Sequence, residues 1–106
     1  MGNNKIFKTL FTLLISIVLI SCGNAVQIND SMGIGDEYNN IGLVYDDKGE
    51  LDSALTFYEK AKDIYSEIKN KKAIADVLGN IAGIWFNKGN FNKSVQNVLE
   101  SLTILR

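Results

Sequence analysis

YNNIGLVYDDKGELDSALTFYEKAKDIYSEI, from Tyr38 to Ile68, holds two helical periodicities separated by a glycine. Tyr38, Ile41, Gly42 and Tyr45 fall at i, i+3, i+4 and i+7, one stripe of an amphipathic helix. Lys48-Gly49 follows: a basic residue in the last turn, then a glycine free to take the left-handed conformation that ends a helix. Asp52 is placed to cap the next helix or to favour its positive end. Along that helix Ala54, Leu55, Tyr58, Ala61, Ile64, Tyr65 and Ile68 share one side, and Glu59, Lys60, Asp63 and Glu67 share the other. The segment reads as helix–turn–helix, without a strand.

The same unit comes twice. A shift of 40 residues aligns Ile34 with Ile74, Asp36 with Asp76, Asn40 with Asn80, Ile41 with Ile81, Lys48 with Lys88, Gly49 with Gly89 and Ile64 with Ile104, and needs no gap. Tyr45 then stands opposite Trp85, Leu51 opposite Phe91, and Leu55 opposite Val95. In the second unit Ile74, Val77, Leu78, Ile81, Ala82 and Trp85 form the first stripe. Phe91, Val95, Val98, Leu99, Leu102 and Leu105 form the second.

Tyr38-x2-Ile41-Gly42-x2-Tyr45 followed by Ala54-x3-Tyr58-x2-Ala61 resembles a tetratricopeptide repeat. Small residues let the paired helices approach, and aromatic residues fill the space between them. The second unit departs from the pattern: Ser94, Val98 and Ser101 stand where small, aromatic and small residues belong. The family's proline near the end of the second helix is replaced by Ser66. The 40-residue period exceeds the usual ~34, with the extra residues expected around Asn70–Ala75. The resemblance implies an all-α solenoid of two helix–turn–helix repeats, about four helices, with repeat 1 at 36–70 and repeat 2 at 71–106, and a truncated array is the expectation.

In that family the first helix of each repeat lines a concave groove for peptides or partner proteins. The resemblance carries this role to Asp36, Asn39, Asn40, Leu43 and Asp46 in unit one, and to Asp76, Asn80, Gly83, Phe86 and Asn87 in unit two. An asparagine amide both donates and accepts toward a peptide unit, so the recurring Asn40 and Asn80 suit an extended backbone. A solvated helix face, or duplication alone, accounts for the same residues. With Asp36, Asp46 and Asp76 and no basic residue among these positions, a neutral or basic segment is the expected ligand. Phe86 is the expected aromatic anchor.

Ahead of the repeats, Lys5 and Lys8 precede an uncharged apolar run that ends in Leu19-Ile20-Ser21-Cys22-Gly23. Even counted across Lys8, from Ile6 to Ile20, the stretch is shorter than the ~18 residues expected of a spanning helix. The ending resembles the lipobox of bacterial lipoproteins. It implies a signal peptide at 1–21, lipidation of Cys22 and a membrane-anchored protein of the cell envelope facing the periplasm. An ordinary cleavage site or a free cysteine beside an anchor remains the alternative. Gly23–Gly35, polar and glycine-containing, reads with Cys22 as a flexible tether over 22–35.

The chain has 106 residues, no histidine, no proline, one cysteine and a formal charge of −1. That excludes histidine acid–base chemistry, His–Cys metal sites and a disulfide framework. Once Met1–Ser21 is set aside, nine basic side chains face twelve acidic ones, which argues against nucleic acid. Asp46, Asp47, Glu50 and Asp52 lack the spacing of a calcium loop. No enzyme, cofactor or metal is expected; the reading is a protein-binding module. The alternatives are the N-terminal sensor end of a longer signal-transduction protein and a lipoprotein of nutrient uptake or envelope assembly. Leu102, Ile104 and Leu105 end the sequence inside an apolar stripe, which raises self-association through the last helix.

Overall fold

The computed structural model describes Lys8 and residues 30–106. Four helices follow one another there: α1 over residues 30–47, α2 over Leu51–Glu67, α3 over Lys71–Asn87 and α4 over Phe91–Leu105. No strand occurs among the described residues, and the all-α solenoid reading holds. Lys8 apart, the segments read as signal peptide, lipidated Cys22 and the first part of the tether lie outside the described residues. Among the described residues no helix is long and apolar enough to cross a membrane.

The three turns share one design. Residues 48–50, 68–70 and 88–90 each link two helices, and the middle residue is left-handed: Gly49 at φ 77°, Lys69 at φ 57° and Gly89 at φ 81°. The residue after it donates its N–H back across the helix end, from Glu50 to the Tyr45 carbonyl at 2.9 Å, Asn70 to Tyr65 at 3.0 Å and Asn90 to Trp85 at 2.8 Å. A second bond joins Gly49 to Asp46, Lys69 to Ser66 and Gly89 to Phe86. This is the double-bonded helix ending that satisfies otherwise orphaned carbonyls. Glycine adopts it without strain, as the sequence reading expects at Gly49 and Gly89. Lys69 adopts it against its own preference.

Helix starts differ. Asn70 and Asn90 each cap the helix that follows, their side-chain oxygens accepting from the N–H of Ala73 and of Lys93, both at 3.1 Å. The residue in the same place before α2 is Glu50, which makes no capping bond. Asp52, read as a possible cap, instead lies in the first turn of α2. There its charge favours the positive helix end, and it pairs with the Lys88 ammonium at the end of α3.

Two expectations about length are corrected. Residues 30–35, assigned to the tether, are helical, and Gly35 is buried against the Tyr65 ring. Glycine composition reads as a linker when taken alone, but here the missing side chain admits a neighbouring ring. The extra residues placed around Asn70–Ala75 form no inserted loop either. α3 begins at Lys71, so the longer period is absorbed by helices of 17 residues in α2 and α3.

The core runs through α1, α2 and α3. Ala54, Tyr58, Ala61 and Tyr65 of α2 and Ala73, Val77, Ile81 and Ile84 of α3 form one buried cluster, with Tyr38 and Tyr45 of α1 packed against it. A Cβ on Gly42 would meet the Tyr58 ring at 2.6 Å, and one on Gly35 the Tyr65 ring at 2.7 Å. The glycines let α1 lie directly on the two tyrosines. Outside this cluster Tyr45 stacks on Phe57 at 5.4 Å, and Lys60 lies over the Phe57 ring at 5.2 Å. α3 and α4 pack along their length, and Ser101 of α4 donates to the Ala75 carbonyl at 3.0 Å.

Candidate functional site

α1 and α3 are the first helices of the two hairpins, and a cleft of about 230 Å³ opens where they meet the end of α2. Asp36 and Asn39 line it from α1, Asp76 and Val77 from α3, and Tyr65 from α2. Each reaches the cleft for a helical reason. Asp36 and Asn39 lie one turn apart on α1, and Ala73 and Val77 are one turn apart on α3, so each pair shares a face. Asn70 reaches the cleft from the turn, fixed there by capping α3, and its amide also points at the Met32 sulfur at 3.4 Å.

Two hydrogen bonds hold the walls. The Tyr65 hydroxyl donates to Asp36 at 2.6 Å. The Asn80 amide donates to the Asn39 side-chain oxygen at 3.1 Å, joining α3 to α1. Burial, the hydrogen bond to Asp36 and the charges of Asp36 and Asp76 push the Tyr65 hydroxyl well above the usual tyrosine range. It is therefore a fixed donor at any physiological pH. Asp36 stays exposed while accepting that bond, which leaves carboxylate acceptor capacity facing solvent.

Of the residues that the sequence assigns to a groove, Asp36, Asn39 and Asp76 line the cleft, and Asn80 stands behind Asn39, outside the lining. The partner of Asn80 is Asn39; Asn40, its counterpart in the repeat, is exposed and does not line the cleft. A 40-residue shift matches positions on two helices, whereas a contact between the helices also depends on how far one is displaced and rotated against the other. Leu43 is exposed outside the cleft. Asp46 lies ten residues along α1 from Asp36, about 15 Å away at the rise of a helix, and accepts from the Tyr58 hydroxyl at 3.5 Å. Phe86 and Asn87 sit at the far end of α3, where Phe86 is exposed with its ring edge-to-face on Phe91 at 5.3 Å.

Lys72 also lines the cleft, so it is not purely acidic as the assigned positions imply. Sequence reasoning also missed Met32, Tyr65 and Asn70. The asparagine was findable as a helix-start residue, since it precedes Lys71 and accepts three residues on. The tyrosine was read correctly as core, and only packing brings its hydroxyl to the cleft.

The surface built this way presents carboxylate oxygens, amides and one ammonium on a shallow floor of alanine and valine. It can hydrogen-bond a polar chain and attract a cation-bearing one. Among the described residues no group of three or more His, Cys, Asp or Glu side chains is arranged to hold a metal ion.

Residues 38–73, about a third of the chain, match the family model described as Tetratricopeptide repeat. Neither a curated protein nor a solved structure matches the chain.

Proposed function

We propose, from the match of residues 38–73 to the tetratricopeptide repeat model, that the chain is a non-catalytic protein-binding module whose ligand lies across the α1–α3 cleft. The observation that carries this reading is the wall shared by two hairpins, Asp36 and Asn39 on one side and Asp76 on the other, with Asn39 held by the hydrogen bond from Asn80. Amides serve an extended backbone because they donate and accept together. Two carboxylates against one ammonium suit a neutral or basic segment.

A fluorescein-labelled, lysine-containing extended peptide read by anisotropy tests it. Asp36→Asn and Asp76→Asn preserve shape and remove charge, so binding weakens with each substitution and with added salt. An affinity unchanged in the double variant rules out this cleft as the ligand site.

The same reading takes Cys22 as the lipidated residue that tethers the module to an envelope membrane on its periplasmic side. Its support is Leu19-Ile20-Ser21-Cys22-Gly23 at the end of an uncharged apolar run. The N-terminal peptide of the native protein extracted from membranes decides it: mass spectrometry is expected to find a chain that begins at Cys22 and carries acyl groups there, and an unlipidated soluble protein ends the anchoring proposal.

A further inference from the structure

α3 buries two faces. Val77, Ile81 and Ile84 lie in the cluster with Tyr58 and Tyr65 of α2. Ala75, Leu78 and Ala82 are buried outside that cluster, and the Ala75 carbonyl accepts from Ser101 of α4. Forty residues earlier, α1 has the same two faces. Gly35 and Gly42 meet the rings of α2, while Glu37, Ile41 and Val44 stand where α3 has Val77, Ile81 and Ile84.

That second face of α1 is open. Val44 is 52% exposed where Ile84 is 0%. α4 is open in the complementary sense. Leu105 is 58% exposed where Tyr65, its counterpart in α2, is 3%. α1 thus carries one half of the α2–α3 junction uncovered, and α4 carries the other half.

Going beyond the binding module, we propose that a second copy of this chain docks head to tail, its α1 face of Ile41 and Val44 laid on the outer face of α4, repeating the α2–α3 junction between molecules. Three observations select this occupant. The incoming face is a 40-residue translate of one that is already buried against α2. Charge follows the same translation: Met32 and Val77 line one cleft inside the chain, and their counterparts across the new junction are Lys72 of one copy and Glu37 of the next. Where the junction inside the chain has two apolar residues, the junction between copies would have two opposite charges. Finally, Leu99 and Leu102 replace Glu59 and Lys62, which form an ion pair at 2.8 Å on α2. With Phe91, Val95 and Leu105, these two leucines leave α4 with a row of exposed large apolar side chains, the kind of surface that marks an interaction site. A junction of this kind is heterologous, so it propagates instead of closing at two copies.

Sedimentation velocity on the full chain tests it, in one detergent throughout so that the apolar residues near the N-terminus contribute equally to every sample. Val44→Asp blocks the α1 face and Leu105→Asp the α4 face, both at exposed positions, and circular dichroism checks that each variant keeps its helices. The wild-type mass should rise with concentration past two copies, and each variant alone should stay at one. Mixed in equal amounts, the variants should form a complex that stops at one of each, joined by the two intact faces. A Val44→Asp protein that still pairs with itself, a mixture that forms no complex, or association identical in wild type and the double variant each overturns the proposal.

Discussion

The two hairpins share their turns and differ in what lies between their helices. In α1–α2, Tyr58 and Tyr65 are buried against Gly42 and Gly35. In α3–α4 the corresponding residues are Val98 and Leu105 opposite Ala82 and Ala75, and no residue of α4 is buried. At these positions the first hairpin has rings and glycines, and the second has aliphatic residues and alanines. Exposure has a separate cause. α2 lies between α1 and α3, whereas α4 is covered by α3 on one side only. A shared backbone template therefore supports a tightly closed hairpin and an open one. The open one carries the α4 face on which the proposed head-to-tail contact rests.

The largest test of this contrast is ring removal. Tyr58→Ala should cost about 3–5 kcal/mol, as large-to-small changes at buried aromatics do. Val98→Ala should cost under about 1 kcal/mol, because its half-exposed site leaves no sealed cavity. Denaturant titrations of the two variants give the comparison, and equal losses would abolish the distinction between the hairpins. Glycine replacement comes next. Gly42→Ala drives a methyl into a buried ring and should destabilise by about 1–3 kcal/mol. Gly83, on α3, has nothing within 4 Å of an added Cβ. Gly83→Ala should stabilise by about 0.5–1 kcal/mol through helix propensity, visible as a higher melting temperature.

Alkali should separate the hairpins further. Burial first, then the charge and hydrogen bond of Asp46, push the Tyr58 hydroxyl up to about 12. An unfolded tyrosine ionises near ~10, so above that pH the unfolded chain releases a proton that the folded chain keeps. This contribution to stability is whole below about pH 10 and is lost as the pH rises toward 12. Tyr58→Phe should flatten the fall of melting temperature across that window. Val98→Leu, in the hairpin whose corresponding positions hold no tyrosine, should leave it unchanged.

The smallest effects sit in the turns. Lys69→Gly relieves a left-handed lysine and should stabilise by about 0.5–1 kcal/mol. Glu50→Asn adds the cap that Asn70 and Asn90 already supply to their helices, and should give about 1 kcal/mol. A melting temperature unchanged in both variants would mean that the residue differences among the three turns carry no energy.

Much of this architecture is local, and therefore legible. Tyr38, Ile41, Gly42 and Tyr45 announce a helical face by spacing alone, and Gly49 and Gly89 announce helix ends by being the residues that tolerate positive φ. Lys69 gives no such announcement, because its conformation is imposed by the helices on either side. At the candidate site, Asp36, Asn39, Asp76 and Asn80 were readable as groove positions from the family pattern. Lys72 and the Tyr65 hydroxyl were not, since neither follows from the periodicity of its own helix.

By itself the sequence determined the helical periodicities, the helix ends at Gly49 and Gly89 and the doubling of the unit, all set by bonds and propensities a few residues apart. Only the tertiary structure decided that Asn80 bonds Asn39 and not Asn40, that Asp52 pairs with Lys88, and that residues 30–35 join α1. Periodicity defines a face on one helix but leaves the offset and rotation between two helices open. Here the depth to which Tyr58 and Tyr65 sink against two glycines helps set both.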